Sequence, residues 1–150
     1  MSYSTVRDKI EAILNTATGI GKVYDYDRLE RSESGFKTAF TSGSKINAWT
    51  ISRFSVAEIQ EASLRTNANT VWIIRGYYSL DAAGASEHNF QELIESIRSK
   101  FREKPTLDGL VLTTSFIQVN IIEPRMFGAV LCHYTELRLE TTEEISYVEA

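Results

Sequence analysis

The chain has 150 residues and a formal net charge of −4, with two prolines, eight glycines and a single cysteine. That composition excludes collagen-like and proline-rich architectures, and no apolar run approaches the roughly 18–20 residues that cross a bilayer. Residues 1–45 hold seven bases and six acids, residues 46–85 three of each, and residues 86–150 six bases and eleven acids, so the excess charge is acidic and C-terminal, with no basic stretch for tight electrostatic binding of nucleic acid.

The N-terminus, Met1 to Asp8, lacks the apolar centre of a secretory signal. Ser4 is placed to cap a first helix, with Val6, Ile10, Ile13, Leu14 and Ala17 on one stripe. Gly19-Ile-Gly21 ends it, and Lys22–Tyr26 reads as a short extended piece. Phe36 and Phe40, four apart, suggest a short helix before the Thr41-Ser-Gly-Ser44 turn. Ile46–Phe54 carries strand-favouring Trp49, Thr50 and Ile51. Ser55-Val-Ala-Glu58 has capping-box spacing, yet Asn67-Ala-Asn69 reads as a turn and Thr70–Tyr78 as the clearest strand. A hairpin pairing 46–61 with 69–79 accommodates both.

Ser86 is read as the cap of the second long helix, with Phe90, Leu93, Ile94, Ile97 and Phe101 on one face. Its early acids and late bases suit the helix dipole. Pro105 and Leu107-Asp-Gly109 stop and turn the chain. Two long strands follow, at about 110–122 and 128–140, with 123–127 between them. The expectation is one α+β domain over 1–150, with a short acidic tail at about 141–150. Its sheet is expected to be mainly antiparallel, with two principal helices on one face, in the order helix, hairpin, helix, hairpin.

Little in the chain points to catalysis. Cys132 has no cysteine to pair with, as suits a reducing compartment. Cys132 and His133 are neighbours, but consecutive strand residues point to opposite faces, so they cannot share a proton. His88 falls in the first turn of a helix, where a surface role is the default. Metal-ligand spacings such as H-E-x-x-H or C-x-x-C do not occur. Gly19-Ile-Gly21 lacks the rest of a dinucleotide fingerprint, and Thr41–Lys45 lacks P-loop spacing. Ser44 and Ser115 lie outside any G-x-S-x-G elbow, and the pair Asp25/Asp27 reads as a solvated strand rim. No catalytic residue, cofactor or metal is assigned, and the chain reads as a non-enzyme. Seven Tyr, seven Phe and two Trp remain as a surplus. Trp72, Tyr77 and Tyr78 crowd one strand, either as core or as a docking surface.

Trp72–Asp81, the helix Phe90–Ile97, Pro105–Gly109 and the terminal strand Val130–Leu139 come in an order that resembles the neck and tail-completion proteins of long-tailed bacteriophages, the tail terminators in particular. The resemblance implies a structural virion protein, assembled in the host bacterial cytoplasm. It implies a homo-oligomeric ring, usually of six copies, that caps the tail tube and joins it to the head connector. The implied partners are other copies of the chain, the tube protein and a connector or neck protein. Genomic DNA passes through without specific binding, and no membrane is involved. The candidate contact regions are the loop 79–86 and the turn 123–127. The candidate interface residues are Trp72, Tyr77, Tyr78, Arg125, Met126 and Phe127. Glu140, Glu143 and Glu144 are candidates for an acidic lumen, against the alternative of a solvated tail. Two other readings stay open: another head–tail connector or head-completion protein, or a small ligand-binding or hydrolytic domain with a pocket around His133, Tyr134 and Arg75.

Overall fold

The chain is described by a computed structural model over residues 2–62 and 65–146. The elements run α1 (Ser2–Leu14), β1 (Lys22–Tyr24), α2 (Glu33–Phe40), β2 (Thr41–Ser42), β3 (Lys45–Ala62) and β4 (Arg65–Ser79). They continue with α3 (Ala85–Arg102), β5 (Thr113–Thr114), β6 (Gln118–Phe127) and β7 (Val130–Ser146). The strands form one seven-stranded sheet with the path β1-β3-β4-β7-β5, to which β2 adds beside β3 and β6 beside β7.

Alternation along the strands divides the core in two. Trp49, Ile51, Trp72, Ile74, Leu137 and Leu139 point to one face, under the apolar stripes of α1 and α3. On α1 the buried residues are Val6, Ile10, Ile13 and Leu14; on α3 they are Phe90, Leu93, Ile94, Ile97 and Phe101. Each such side chain contributes roughly 1.5–3 kcal/mol when fully buried. Ala48, Tyr77, Cys132 and Tyr134 point to the other face, where α2 covers them with Phe36, Ala39 and Phe40.

The architecture corrects the expected fold in two respects. The sheet is mixed, because β1 pairs with β3 in parallel (Val23 opposite Trp49). The chain leaves β1, crosses through α2 and re-enters the sheet in the same direction, a connection that only a parallel pair requires. The described residues also hold three helices, and α2 lies on the face opposite α1 and α3. Ser32 caps α2 by accepting the Gly35 N–H at 2.9 Å. With Phe36 and Phe40 on one side, even this short helix can bury against a sheet.

Several boundaries also differ from the sequence reading. Asn67-Ala-Asn69 is not a turn; it pairs on both sides, with β3 and with β7. β3 ends at Ala62 and β4 begins at Arg65, and residues 63–64 lie outside the described residues. Ser55–Glu58 is strand, not a helix start, and the register shifts between Arg53 and Ser55. Ser4 and Ser86 both lie inside their helices rather than at the cap. Gly84, at φ 86, precedes α3 with no side-chain cap. The segment 123–127 belongs to β6, and the reversal occurs at Gly128, which takes φ 63. Residues 110–112 are not strand. Residues 141–146, read as tail, continue β7, while 147–150 lie outside the described residues.

Candidate functional site

Past Arg53 and Trp72 the helices stop and the strands do not. Residues 55–62 of β3, 65–71 of β4 and 140–146 of β7 continue as an arm of three strands, with β5 paired to β7 at Thr141 and Thr142. At a rise of about 3.3 Å per residue, the arm projects by roughly 25 Å. Its composition suits a sheet without helices over it. Ala68, Thr70 and Thr141 stand on one face, and Asn67, Asn69, Thr142 and Glu144 on the other. Thr142 donates to Asn69 Oδ1 at 3.0 Å. Asn67 Oδ1 is buried with no hydrogen-bond partner among the described residues, which costs stability on the order of 1–3 kcal/mol.

The arm begins at a clamp. Tyr3 of α1 stacks on Trp72 at 5.9 Å, with the guanidinium of Arg53 4.5 Å from its ring centre and that of Arg7 at 5.1 Å. Beside it lies a concavity of about 120 Å³, walled by Val56, Ala68 and Ile145 and holding Glu58 and Glu143. Burial raises the Glu143 carboxyl above its ordinary value.

On the opposite face, Arg75 bonds Asp27 at 2.8 Å and Ser52 at 3.1 Å, and lies 3.8 Å from Glu136. Burial works against its charge, but Asp27, Tyr134 and Glu136 outweigh it and raise Arg75. Tyr134 donates to Glu136 at 2.6 Å, and Arg125 covers its ring at 4.3 Å. Burial, then the nearby Asp27 charge, pushes Tyr77 up to about 12. Tyr134 is raised by burial and by Glu136. Both phenols therefore stay neutral and serve as packing. Next to them is a cleft of about 300 Å³, floored by Phe36, Phe40, Tyr77 and Phe127 and edged by Arg28 and Arg31.

The sequence candidates fall in different places. Trp72, Tyr77 and Tyr78 are buried within the chain, in contact with Tyr3, Phe40 and Phe90 respectively. Arg125, Met126 and Phe127 lie together at the end of β6. Met126 is 56% exposed, while Phe127 stacks on Phe36 at 5.4 Å. Glu140 and Glu144 share one face of β7 and Glu143 occupies the other, so the three do not form a single acidic surface.

Cys132 and His133 face opposite sides, Cys132 toward α2 and His133 toward α3. Burial pushes the Cys132 thiol up to about 12. Arg75 and Tyr134 share the α2 side, away from His133, so the pocket proposed from those three residues is not assembled. The loop 79–86 is folded on itself: Asp81 N–H donates to Ser86 Oγ at 2.9 Å, and Ala83 N–H to Asp81 Oδ1 at 3.1 Å.

Sequence reasoning missed one carboxylate group. Asp8, Glu11 and Asp25 bring carboxylate oxygens within 4.8 Å of one another where α1 meets β1. Arg7 lies 3.0 Å from Asp8 and 3.5 Å from Asp25, so a cation of the chain itself already sits among them. Burial, then the charges of Asp25 and Asp8, raises Glu11. Only the i, i+3 spacing of Asp8 and Glu11 was visible beforehand. No protein-family model matches this sequence, and no curated protein is significantly similar to it.

Proposed function

We propose that the chain is a structural subunit of a tailed-phage neck, forming a ring that closes the end of the tail tube and meets the head connector. The observation that carries this reading is the arm. A domain of this size has no folding need for three strands that continue roughly 25 Å beyond its helices. Such an extension serves contacts with other chains. The reading also rests on the resemblance in element order to tail terminators. An acidic β7 end is compatible with a channel through which DNA slides, since like charge keeps phosphate from sticking.

The test is a measured mass followed by an image. Light scattering on the purified chain over a concentration series, with electron microscopy of any assembled species, should show one closed ring, with six copies the expected number. A chain that remains monomeric both in solution and within assembled particles overturns the reading. A reconstruction with 136–146 on the outer rim removes the acidic-lumen element and leaves the ring.

A further inference from the structure

Two opposite flanks of the sheet carry exposed apolar side chains; at one, Glu58 and Glu143 outnumber Arg53, and at the other stand Arg98 and Arg102. The first flank is the outer side of β3. Its pairing with β1 ends at Thr50, so beyond it no strand among the described residues lies on the outer side of residues 53–62. Phe54, at the register shift, is 71% exposed, and Val56 and Ile59 are 45% and 46% exposed. Glu58 shares the face of Val56, with Arg53 beside it, while Ile59 points to the other face.

The second flank lies across the sheet, beyond β7. There β5 pairs Thr113 with Thr142, and the following loop packs on the last turn of α3. Phe116 is 79% exposed and Leu112 51%. Phe116 lines a small cavity together with Arg98 and Arg102, the latter in the last turn of α3. Arg98 is held by Glu95 at 2.6 Å. Neither Glu58 nor Arg102 has an ion-pair partner among the described residues.

We infer that the β3 flank of one copy docks on the 112–116 loop and α3 end of the next copy, with Phe54 and Val56 against Phe116 and Leu112, and Glu58 beside Arg102. This rests on the ring reading and names its interface. The occupant is a second copy because the two flanks match each other in apolar character and in charge while lying on opposite sides of one chain, which cannot bring them together. A contact between different patches is head-to-tail, and it closes into a ring when its rotation divides a full turn. The aromatic pair supplies the buried area. The exposed ion pair contributes little energy and sets the pairing of flanks.

Sedimentation of the full-length chain over a concentration series tests the pairing. Phe54→Asp and Phe116→Asp should each weaken self-association by about tenfold or more. Glu58→Arg and Arg102→Glu should each weaken it less, and the double variant E58R/R102E should recover, because a head-to-tail contact restores the pair between neighbours. All four positions are exposed or at a loop, and unchanged thermal unfolding verifies the fold. As a second measurement, mixed E58C and R102C chains should cross-link to each other under mild oxidation. Cross-linking of E58C chains only among themselves would overturn the head-to-tail sense. Wild-type rings that persist in F54D and F116D overturn this interface and leave the ring reading intact. A wild type that does not associate at any concentration overturns the interface, while imaging of assembled particles decides the ring.

Discussion

Ser86 Oγ lies 2.9 Å from His133 Nε2, with both side chains buried, and so ties the first turn of α3 to β7. Ser86 Oγ also accepts the Asp81 N–H, and the direction of its bond to His133 follows the imidazole tautomer. Phe90 stacks on the ring at 5.5 Å and completes its enclosure. Ser86→Ala should cost about 1–3 kcal/mol, since it leaves a buried histidine nitrogen without a partner. Urea unfolding measures it.

The same pair sets a pH dependence. Burial lowers His133 below its ordinary 6.5, against the opposing pull of Glu87 and Asp81. As pH falls below about 6.5, the unfolded chain takes up a proton that the folded chain refuses, so stability declines. The decline levels off below the folded value, where both states are protonated. Urea midpoints across pH 7.5 to about 5 should fall in the wild type and fall less in His133→Gln, after allowance for the carboxylates that titrate at the lower end.

Gly76 occupies a strand position where a side chain has no room. A Cβ there would lie within 3.0 Å of three atoms of the Trp49 ring. Trp49 is fully buried and anchored by its Nε1–H to Asn47 Oδ1 at 3.1 Å, so the ring cannot move aside cheaply. Gly76→Ala should destabilise the chain by about 1–3 kcal/mol, read by chemical denaturation, with loss of near-ultraviolet tryptophan dichroism.

Ile97 is fully buried on the inner face of α3. Ile97→Ala should cost roughly 2–5 kcal/mol from lost transfer energy and the cavity left behind. A change within about 0.5 kcal/mol, the range of surface substitutions, would contradict its place in the core.

Cys132 should behave as a core residue and not as a nucleophile. With its thiol pushed up to about 12 by burial, it carries almost no thiolate at pH 8. A disulfide reagent should therefore modify the native chain far more slowly than the chain unfolded in urea. Rapid labelling of folded protein would show that the site is open.

The apolar stripes of α1 and α3 were legible because each recurs at helical spacing within one short segment, and the long β3–β4 hairpin because Thr70–Tyr78 could hardly be anything but strand. Phe36 and Phe40 announced α2 but could not say which sheet face it would cover. That depended on Tyr77, Tyr134 and Phe127, residues that meet only in the folded chain. Nor could local pattern show that β1 runs parallel to β3, because pairing direction follows from where a connection crosses and not from the residues in either strand. Asn67-Ala-Asn69 misled for a related reason: asparagines favour turns locally, yet here they sit between two neighbouring strands whose ladders satisfy their backbone. Ser86 likewise looked like a helix cap, and its partner, His133, lies 47 residues away. What the chain carried by itself was periodicity, and therefore which side of each element is apolar. Only the tertiary arrangement decided where the helices end relative to the sheet, and that mismatch in length is what leaves the arm extending beyond them.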